Sequence, residues 1–478
     1  MSDTDNVEKS SKEELLNYKS LLAFFIPLAI TPFFITTTHS FINAAMARLP
    51  YPEISIAVYT VVKGLTNAVK APVFMFMQII VSMVDDIKSF KTASKFIWTI
   101  CGFFFVTLVL MGYTPLGGWV LRNLIGLKDP ESIEIAYLTM RITCFLPLVE
   151  TLRNIYRGLI IGHKRTKISS AATAVRLVVI ILFLGAAVKF KFIPGVVAGA
   201  LAWTGGIGIE GIMVLLGVFY FLGSPGKAAR ELPDLPEFKQ KKLRIMDITT
   251  FFLPIALMRF LNSTLNPIVQ SGIARSPINA TQALAAYGVA FGVMRIIGSP
   301  VGYLHHCALV YLKNFTVQRW KKVSRFCLLA GLISSAIIGI IAVSPAGYWI
   351  LRRIIGVSPE IAENGRWVLL AFSFFPLIQS LRESHWGLLM NRRETRYIGI
   401  AKGLNALAVF LVIFGSILVM PEKPLLSPAV LGALAFTAGQ GVETIIIRYS
   451  SLKNIEQVAE AAGPVETKLG DINIPFIK

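Results

Sequence analysis

Charged residues are scarce in this sequence, and their scarcity excludes a water-soluble protein. Of 478 residues, 15% are charged and 54% are hydrophobic, and the mean hydropathy is +0.65. A soluble domain carries roughly 25% charged residues, so this chain could not cover itself with a hydrated surface. Apolar runs of about 20 residues recur along the chain, which is the length that a membrane-spanning helix needs. The composition therefore predicts an all-α integral membrane protein.

Acidic residues and cysteines are also few. Asp and Glu number 27 against 47 Lys and Arg, for a net charge of +20. No basic and aromatic face indicates nucleic acid, and most cations lie in short connections, which is typical of membrane orientation. The four cysteines lie inside apolar runs without a CxxC pair: Cys101, Cys144, Cys307 and Cys327. We expect them to be buried packing residues, with no disulfide and no metal site.

Catalytic motifs are missing as well. The sequence contains no HExxH, no GxSxG, no P-loop and no paired aspartates within apolar runs. We therefore expect neither an enzyme nor a cofactor, and any active transport would run on ion gradients or exchange. The first apolar run begins near Leu21 behind a polar tail and is too long for a signal peptide, so none is expected.

Twelve membrane spans are predicted. They lie near residues 20–47, 55–83, 95–120, 132–157, 167–189, 194–222, 246–273, 281–312, 324–351, 360–389, 397–420 and 426–450. If the N-terminal tail and every second connection share one side, that side carries 27 Lys and Arg and the other carries 9. Excess positive charge marks the cytoplasmic side, so we expect both termini there, in a multi-pass protein of the cell membrane.

The chain repeats itself at an offset of 227 to 233 residues. The matching pairs are FFIPLAI with FFLPIAL, GGWVLRNLIGLKDPE with AGYWILRRIIGVSPE, CFLPLVETLRNIYRGLI with SFFPLIQSLRESHWGLL, and IGIEGI with GQGVETI. Six spans per repeat is an even number, so the two halves enter the membrane from the same side as parallel repeats. We divide the chain into a tail (1–19), a six-helix bundle (20–222), a basic linker (223–245), a second bundle (246–450) and a tail (451–478).

Polar side chains recur inside the predicted spans, where they are costly unless they face a cavity or the protein interior. Helical spacing places them on shared faces, and several coincide between the repeats. The substrate-binding candidates are Lys63, Asn67, Lys70, Arg176, Arg259, Asn262, Asn266, Arg295 and Lys402. The candidates for coupling or gating are His39, Asn43, Gln270, Glu210 and Glu443.

Structural roles remain open for these residues. A single polar residue in a span often holds two helices together, and Glu210 and Glu443 could pair with Arg176 or Lys402 for that purpose. Arg153 and Arg382 are placed near the ends of spans, where we expect them to snorkel or to anchor loops. His305 and His306 could anchor the membrane interface or sense protons.

The sign of the intramembrane charges indicates the substrate. Apart from Glu210 and Glu443, the charged candidates are cationic. Such an excess is unfavourable at membrane depth unless an anion or water compensates it, and Lys and Arg suit phosphate and carboxylate. We therefore expect an anionic small-molecule substrate.

The duplicated layout resembles the superfamily of multidrug (MATE), oligosaccharide and lipid exporters called MOP, and within it the progressive ankylosis (ANKH-like) family. The resemblance covers residues 20–450 and is carried by PLAIT, PIAL, NPIV, GSPVGYL, FSFFP, GLLM and GVE in this order. It implies efflux of a small anion such as pyrophosphate, a nucleotide or citrate. The segment FITTTHSFINAAM lacks the acidic residues expected in the first span of cation-coupled MATE pumps.

The sequence thus predicts an alternating-access exporter of a small anion in the lipid bilayer, acting as a monomer. H⁺ or Na⁺ are possible coupling ions. A MATE-like multidrug exporter and a flippase of lipid-linked diphosphates or oligosaccharides are the alternatives.

Overall fold

The computed structural model describes residues 16–125, 129–232, 243–313, 315–421 and 425–461. These residues form helices and short connections, with no strand among them. The all-α prediction is confirmed. Residues 233–242 of the basic linker and most of both polar tails lie outside the described residues.

The first half contains six spans. Span 1 is helix α1 (Tyr18–Met46), and span 2 joins α2 (Pro52–Val69) to α3 (Phe76–Met83) through a 3-10 segment (Ala71–Met75). Span 3 is α4 (Ile87–Tyr113), followed by a short helix α5 (Pro115–Trp119) and a π-helical turn (Val120–Ile125). Span 4 joins α6 (Pro130–Thr143) to α7 (Leu146–Gly162), and spans 5 and 6 are α8 (Thr166–Phe190) and α9 (Gly195–Leu222).

The second half repeats these elements in the same order after a short helix, α10 (Pro225–Arg230). Span 7 is α11 (Ile245–Ala274), and span 8 joins α12 (Ala280–Gly298) to α13 (His305–Tyr311) through a 3-10 segment (Ser299–Tyr303). Span 9 is α14 (Val317–Val343), followed by α15 (Pro345–Trp349) and a π-helical turn (Ile350–Ile355). Span 10 joins α16 (Pro359–Phe372) to α17 (Phe375–Asn391), and spans 11 and 12 are α18 (Thr395–Leu418) and α19 (Pro428–Ala461).

The helices follow the predicted spans in order, with differences at the boundaries of spans 3, 4, 9 and 12. Among the described residues, ten helices are long and apolar enough to cross a membrane, or eleven with the bent span 2. Span 10 is not among these eleven and is identified by its match to span 4 in the repeat. Spans 3 and 9 begin earlier than predicted, at Ile87 and Val317, because basic segments form their first turns. They also end earlier, because Pro115 and Pro345 each start a separate short helix, as proline favours the first helical position.

Proline interrupts the helices of spans 2 and 8 at matching positions. Span 2 turns by 60° at the 3-10 segment that contains Pro72, and Pro300 occupies the matching position in span 8. Proline interrupts a helix because it lacks the N–H donor and crowds the preceding turn. Lys70 lies directly before the bend of span 2, so the bend positions a predicted site residue.

One hydrophobic core joins the two halves at only one end of the molecule. We call this the basic end, since the lysine-rich and arginine-rich connections lie there. Its core contains residues of both halves, among them Phe24, Phe76, Phe252 and Leu309. At the opposite end the described residues form two cores, one made of first-half residues alone and one of second-half residues alone. The halves are therefore packed together at the basic end and have separate interiors at the opposite end.

Side-chain contacts between the halves also concentrate at the basic end. The rings of Phe24 and Tyr311 lie 5.4 Å apart, and those of Phe76 and Phe252 lie 5.6 Å apart. A salt bridge of 3.4 Å links Asp85 of the first half to Arg393 of the second. These contacts close this end of the bundle. The four cysteines are buried and unbridged, as predicted.

Candidate functional site

A buried carboxylate in the first half, Glu210 of span 6, collects cations from two other spans. Its oxygens accept hydrogen bonds from Thr173 Oγ1 and Arg176 Nη1, both at 2.7 Å. Arg153 and Arg157 approach the same carboxylate at 3.4 and 3.5 Å. Three guanidinium groups thus share one fully buried carboxylate. The arrangement ties spans 4, 5 and 6 together in the middle of the bundle.

The second half contains the matching cluster around Glu443 of span 12. Lys402 Nζ donates to Glu443 at 2.7 Å, Asn405 Nδ2 donates at 2.5 Å, and Arg382 Nη1 donates at 3.0 Å. Lys402 also donates to Asn262 of span 7 at 3.2 Å. Both clusters therefore lie wholly within one half and draw on matching helices.

These clusters correct one prediction and agree with another. Arg153 and Arg382 do not snorkel at the membrane surface; both are bonded to buried carboxylates, because helices α7 and α17 continue for about two turns beyond them. The pairing considered for Glu210 and Glu443 with Arg176 and Lys402 is present. A buried charge needs such a partner, since an isolated ion in an apolar interior is very costly.

Lys70 forms a separate ion pair at the bend of span 2. Its Nζ lies 2.7 Å from Glu150 Oε1 of span 4, and both side chains are almost completely buried. The ammonium also lies over the rings of Phe74 at 4.4 Å and Trp203 at 5.5 Å. The second carboxylate oxygen of Glu150 is buried without a partner among the described residues. The sequence prediction that only Glu210 and Glu443 counter the positive charges within the spans was wrong. Glu150 pairs with Lys70, and Glu383 of span 10 pairs with Arg382.

Three predicted site cations have no carboxylate partner among the described residues: Lys63, Arg259 and Arg295. Arg259 of span 7 lies 4.7 Å over the ring of Phe74, which brings it to the same ring as Lys70. Arg295 of span 8 is close enough to Arg259 for their like charges to repel. Cations of spans 2, 7 and 8 thus converge where the halves meet.

His39 of span 1 lies on the first-half side of this region. The charges of Lys63, Arg176 and Lys70 act on it, and its ring lies 6.1 Å from that of Trp203. In the second half the matching residue, Asn266, accepts a hydrogen bond from Tyr287 at 3.0 Å. In the first half, His39 Nδ1 and the hydroxyl of Tyr59 are both buried without a partner among the described residues.

The remaining candidates lie beside this region. Asn67 is half-buried on span 2, one turn from Lys63 and Lys70. Asn43 and Gln270 are exposed toward the ends of spans 1 and 7 that lie away from the basic end. The structure thus gathers the cationic candidates more closely than the neutral ones.

A second buried network, which the sequence prediction did not assemble, joins the halves near the basic end. His305 Nδ1 lies 2.8 Å from Glu383 Oε2, and Arg382 bonds the other oxygen of Glu383. The far nitrogen of His305 lies 3.4 Å from Gln78 Nε2 of the first half. His305 and His306 are both buried, so anchoring at the membrane interface does not describe their positions.

Helical spacing could have revealed part of what was missed. Glu150, Arg153 and Arg157 follow each other at steps of three and four, which places them on one face of α7. Their buried face is the one that meets Lys70 and Glu210. No local signal joins Lys70 to Glu150, which lies 80 residues away in the chain.

Solved structures share this architecture. A MOP superfamily transporter from Pyrococcus furiosus, described as having a binding pocket of reverse polarity, matches with a TM-score of 0.69 at 12% identity, over 92% of this chain and 96% of its own. A multidrug resistance MATE transporter in an outward-facing conformation matches with a TM-score of 0.68 at 13% identity, over 92% and 96%. The MATE transporter VcmN of Vibrio cholerae in its bent form matches with a TM-score of 0.66 at 12% identity, over 92% and 97%.

These likenesses establish the MOP transporter fold for a multi-pass membrane protein. They are too low in identity to define what the chain carries. Sequence comparison is more specific: the profile described as progressive ankylosis protein (ANKH) matches residues 10–197 and 240–475, which is most of the chain. The chain therefore belongs to the progressive ankylosis protein (ANKH) family.

Proposed function

We propose that this protein is an alternating-access secondary transporter that exports a small polyanion of the pyrophosphate, nucleotide or citrate class. The observation that carries the proposal is the surplus of positive charge where the halves meet. Lys63, Arg259 and Arg295 have no carboxylate partner among the described residues. The four buried glutamates of the spans already bind cations.

The surplus of positive charge where the halves meet has an electrostatic cost. Two guanidinium groups that repel each other in a weakly polar environment are unstable without a compensating anion or water. An anion with two or more charged oxygens can accept from both arginines at once and relieve the repulsion. A cationic drug would meet three unneutralised positive charges, so the geometry favours an anion over the multidrug alternative.

The fold shared with known transporters also supports the proposal. The similar transporter from Pyrococcus furiosus is described by its binding pocket of reverse polarity, which is said to suggest a different function. The halves share a core at the basic end and have separate cores at the other end. This is the arrangement of a transporter that is closed on one side and open on the other.

The charge bias of the connections supports a cytoplasmic position for the closed side and for both termini. An anion would then leave toward the exterior of the cell from the site formed by spans 1, 2, 7 and 8. Coupling to H⁺ or Na⁺ is part of this proposal, with His39, on which the charges of Lys63, Arg176 and Lys70 act, as the candidate coupling residue.

Substrate-induced thermal shift of the purified protein tests the proposal. Pyrophosphate, ATP and citrate are compared with an organic cation on the wild type, Arg295→Ala and Arg295→Lys. A charge-assisted hydrogen bond contributes about 1.5–3 kcal/mol, so loss of Arg295 should weaken anion binding by about tenfold or more. Arg295→Lys should also bind less tightly, since an ammonium group lacks the planar fork of arginine.

Arg275→Ala provides the matched control, because this exposed arginine directly follows span 7 at the end away from the other cations. It hydrogen-bonds Ser271 of its own helix and lies over the ring of Phe414. It should bind anions as the wild type does. Stabilisation by the organic cation alone would refute the anion proposal. Uptake of the same anions into proteoliposomes, with and without a pH or sodium gradient, then tests transport and coupling.

A further inference from the structure

The first half contains a pocket that is separate from the region between the halves. It has a volume of about 680 Å³ and lies between the end of span 3, the short helix α5 and the first turns of span 4. Its charged lining residues are Arg122, Glu134 and Arg141. Ligand pockets commonly enclose about 300–1,000 Å³, so this volume could accept a small ligand or headgroup.

Among the described residues, these three charged side chains form no ion pair with one another. Arg141 donates Nε to the carbonyl oxygen of Gly112 at 3.1 Å and lies 5.2 Å over the ring of Tyr113. Its terminal nitrogens form no hydrogen bond with the described residues. Arg122 and Glu134 likewise have no hydrogen bond or ion pair there, although both line the same pocket. The pocket thus offers two guanidinium groups and one carboxylate to a ligand.

The matching place in the second half is filled by the protein itself. Arg366 donates to the carbonyl oxygens of Ala342 and Val343 at 3.1 and 3.2 Å, and it bonds Glu363 at 3.2 Å. In the repeat alignment Arg366 matches Tyr137, and Glu363 matches Glu134. The carboxylate that is neutralised in the second half is therefore left available in the first.

The position of the pocket indicates a lipid. Span 3 ends at Tyr113 and span 4 begins at Pro130, so the pocket lies where the helices leave the hydrocarbon region. Tyr113 lines the pocket, and Leu116 and Trp119 belong to the short helix α5 that borders it; the three side chains are 58%, 46% and 55% exposed. Aromatic side chains favour this membrane boundary, and an apolar rim beside the charges suits acyl chains next to a headgroup.

We propose that this pocket binds the headgroup of a phospholipid that carries a primary ammonium, of the phosphatidylethanolamine type. Arg122 and Arg141 receive the phosphodiester, for which the guanidinium fork is well suited. Glu134 receives the ammonium group, and the acyl chains lie along the exposed apolar rim. Each charged lining residue then faces an opposite charge of the zwitterion, whereas an anionic headgroup without an ammonium would leave Glu134 without a counter-charge.

Native mass spectrometry of the delipidated protein in detergent tests the proposal with short-chain phosphatidylethanolamine, phosphatidylcholine and phosphatidylglycerol. We expect phosphatidylethanolamine to bind most tightly. Arg122→Ala should weaken its binding by about tenfold, the equivalent of one charge-assisted contact. Glu134→Gln should remove the preference over phosphatidylglycerol. Arg352→Ala, in the matching LRRIIG sequence of the second half, is the control and should bind as the wild type does.

The variants change exposed side chains, so the melting temperature should stay unchanged and loss of binding reports on the pocket. Equal binding of the three lipids, or an unchanged preference in Glu134→Gln, would overturn the assignment. Displacement of the lipid by millimolar inorganic phosphate would also overturn it, because the site would then belong to a free anion.

Discussion

Replacing Glu210 by Gln should cost more stability than any other single neutralisation of a buried glutamate in the first half. The carboxylate contacts three guanidinium groups whose side chains are 4–7% exposed, and the hydroxyl of Thr173 donates to it as well. Glutamine keeps the volume but places an amide N–H₂ against guanidinium donors. Three buried cations would then lack a counter-charge at contact distance. Removal of one partner from a buried ion pair typically costs about 3–5 kcal/mol, and we expect this range for Glu210→Gln.

The second half provides an internal comparison. In Glu443→Gln, Arg382 keeps its bond to Glu383, so mainly Lys402 loses its counter-charge. The loss should be smaller, about 2 kcal/mol, the size of one or two charge-assisted hydrogen bonds. Equilibrium unfolding by denaturant in detergent micelles measures both values, with exposed Glu360→Gln as a control that should change stability by less than about 0.5 kcal/mol. Equal losses for Glu210→Gln and Glu443→Gln, or a larger loss in the second half, would refute the reasoning.

Three further predictions concern packing, the closed end and topology. Gly387→Ala should lower stability by about 1–3 kcal/mol, because the added Cβ would lie 2.5 Å from a side chain of span 8. In Gly441→Ala the added Cβ meets nothing within 4 Å, so this variant should be neutral in the same denaturant unfolding assay. Asp85→Cys combined with Arg393→Cys, joined by a short bifunctional maleimide, should hold the basic end closed and stop anion uptake into proteoliposomes; undiminished uptake by the joined protein would contradict this end being a gate. Lys88→Cys should react with a membrane-impermeant maleimide only after cells are permeabilised, since the proposed topology puts this exposed residue on the cytoplasmic side.

The general architecture was accessible from the sequence because it depends on local and periodic signals. Apolar length gave the spans, and the internal repeat gave two parallel bundles. The repeat also aligned Glu210 with Glu443 and so pointed to the paired clusters before any contact was known.

The prediction that Arg153 lies near the membrane surface was wrong, because the end of span 4 was predicted too early. The predicted fourth span stopped at residue 157, which placed Arg153 near a membrane surface. Span 4 is instead broken between Thr143 and Leu146, and its second helix runs to Gly162, so Arg153 lies within the bundle. A break inside a helix that makes the span longer leaves no clear signal in the hydropathy of the sequence. The partnership of Lys70 with Glu150 was hidden for another reason, since it depends on how two distant spans pack.

The single core at the basic end has a consequence for how the protein is made. Synthesis proceeds at roughly 5–20 residues per second, so the second half follows the first over a period on the order of tens of seconds. During that interval the first half can complete its own opposite-end core and its Glu210 cluster, both of which use only first-half residues. Its contribution to the shared core, including Phe24 and Phe76, must wait for spans that are still on the ribosome. The newly inserted first half is thus fully packed at one end and exposes an apolar surface at the basic end. Lipid or a chaperone must cover this surface until translation ends.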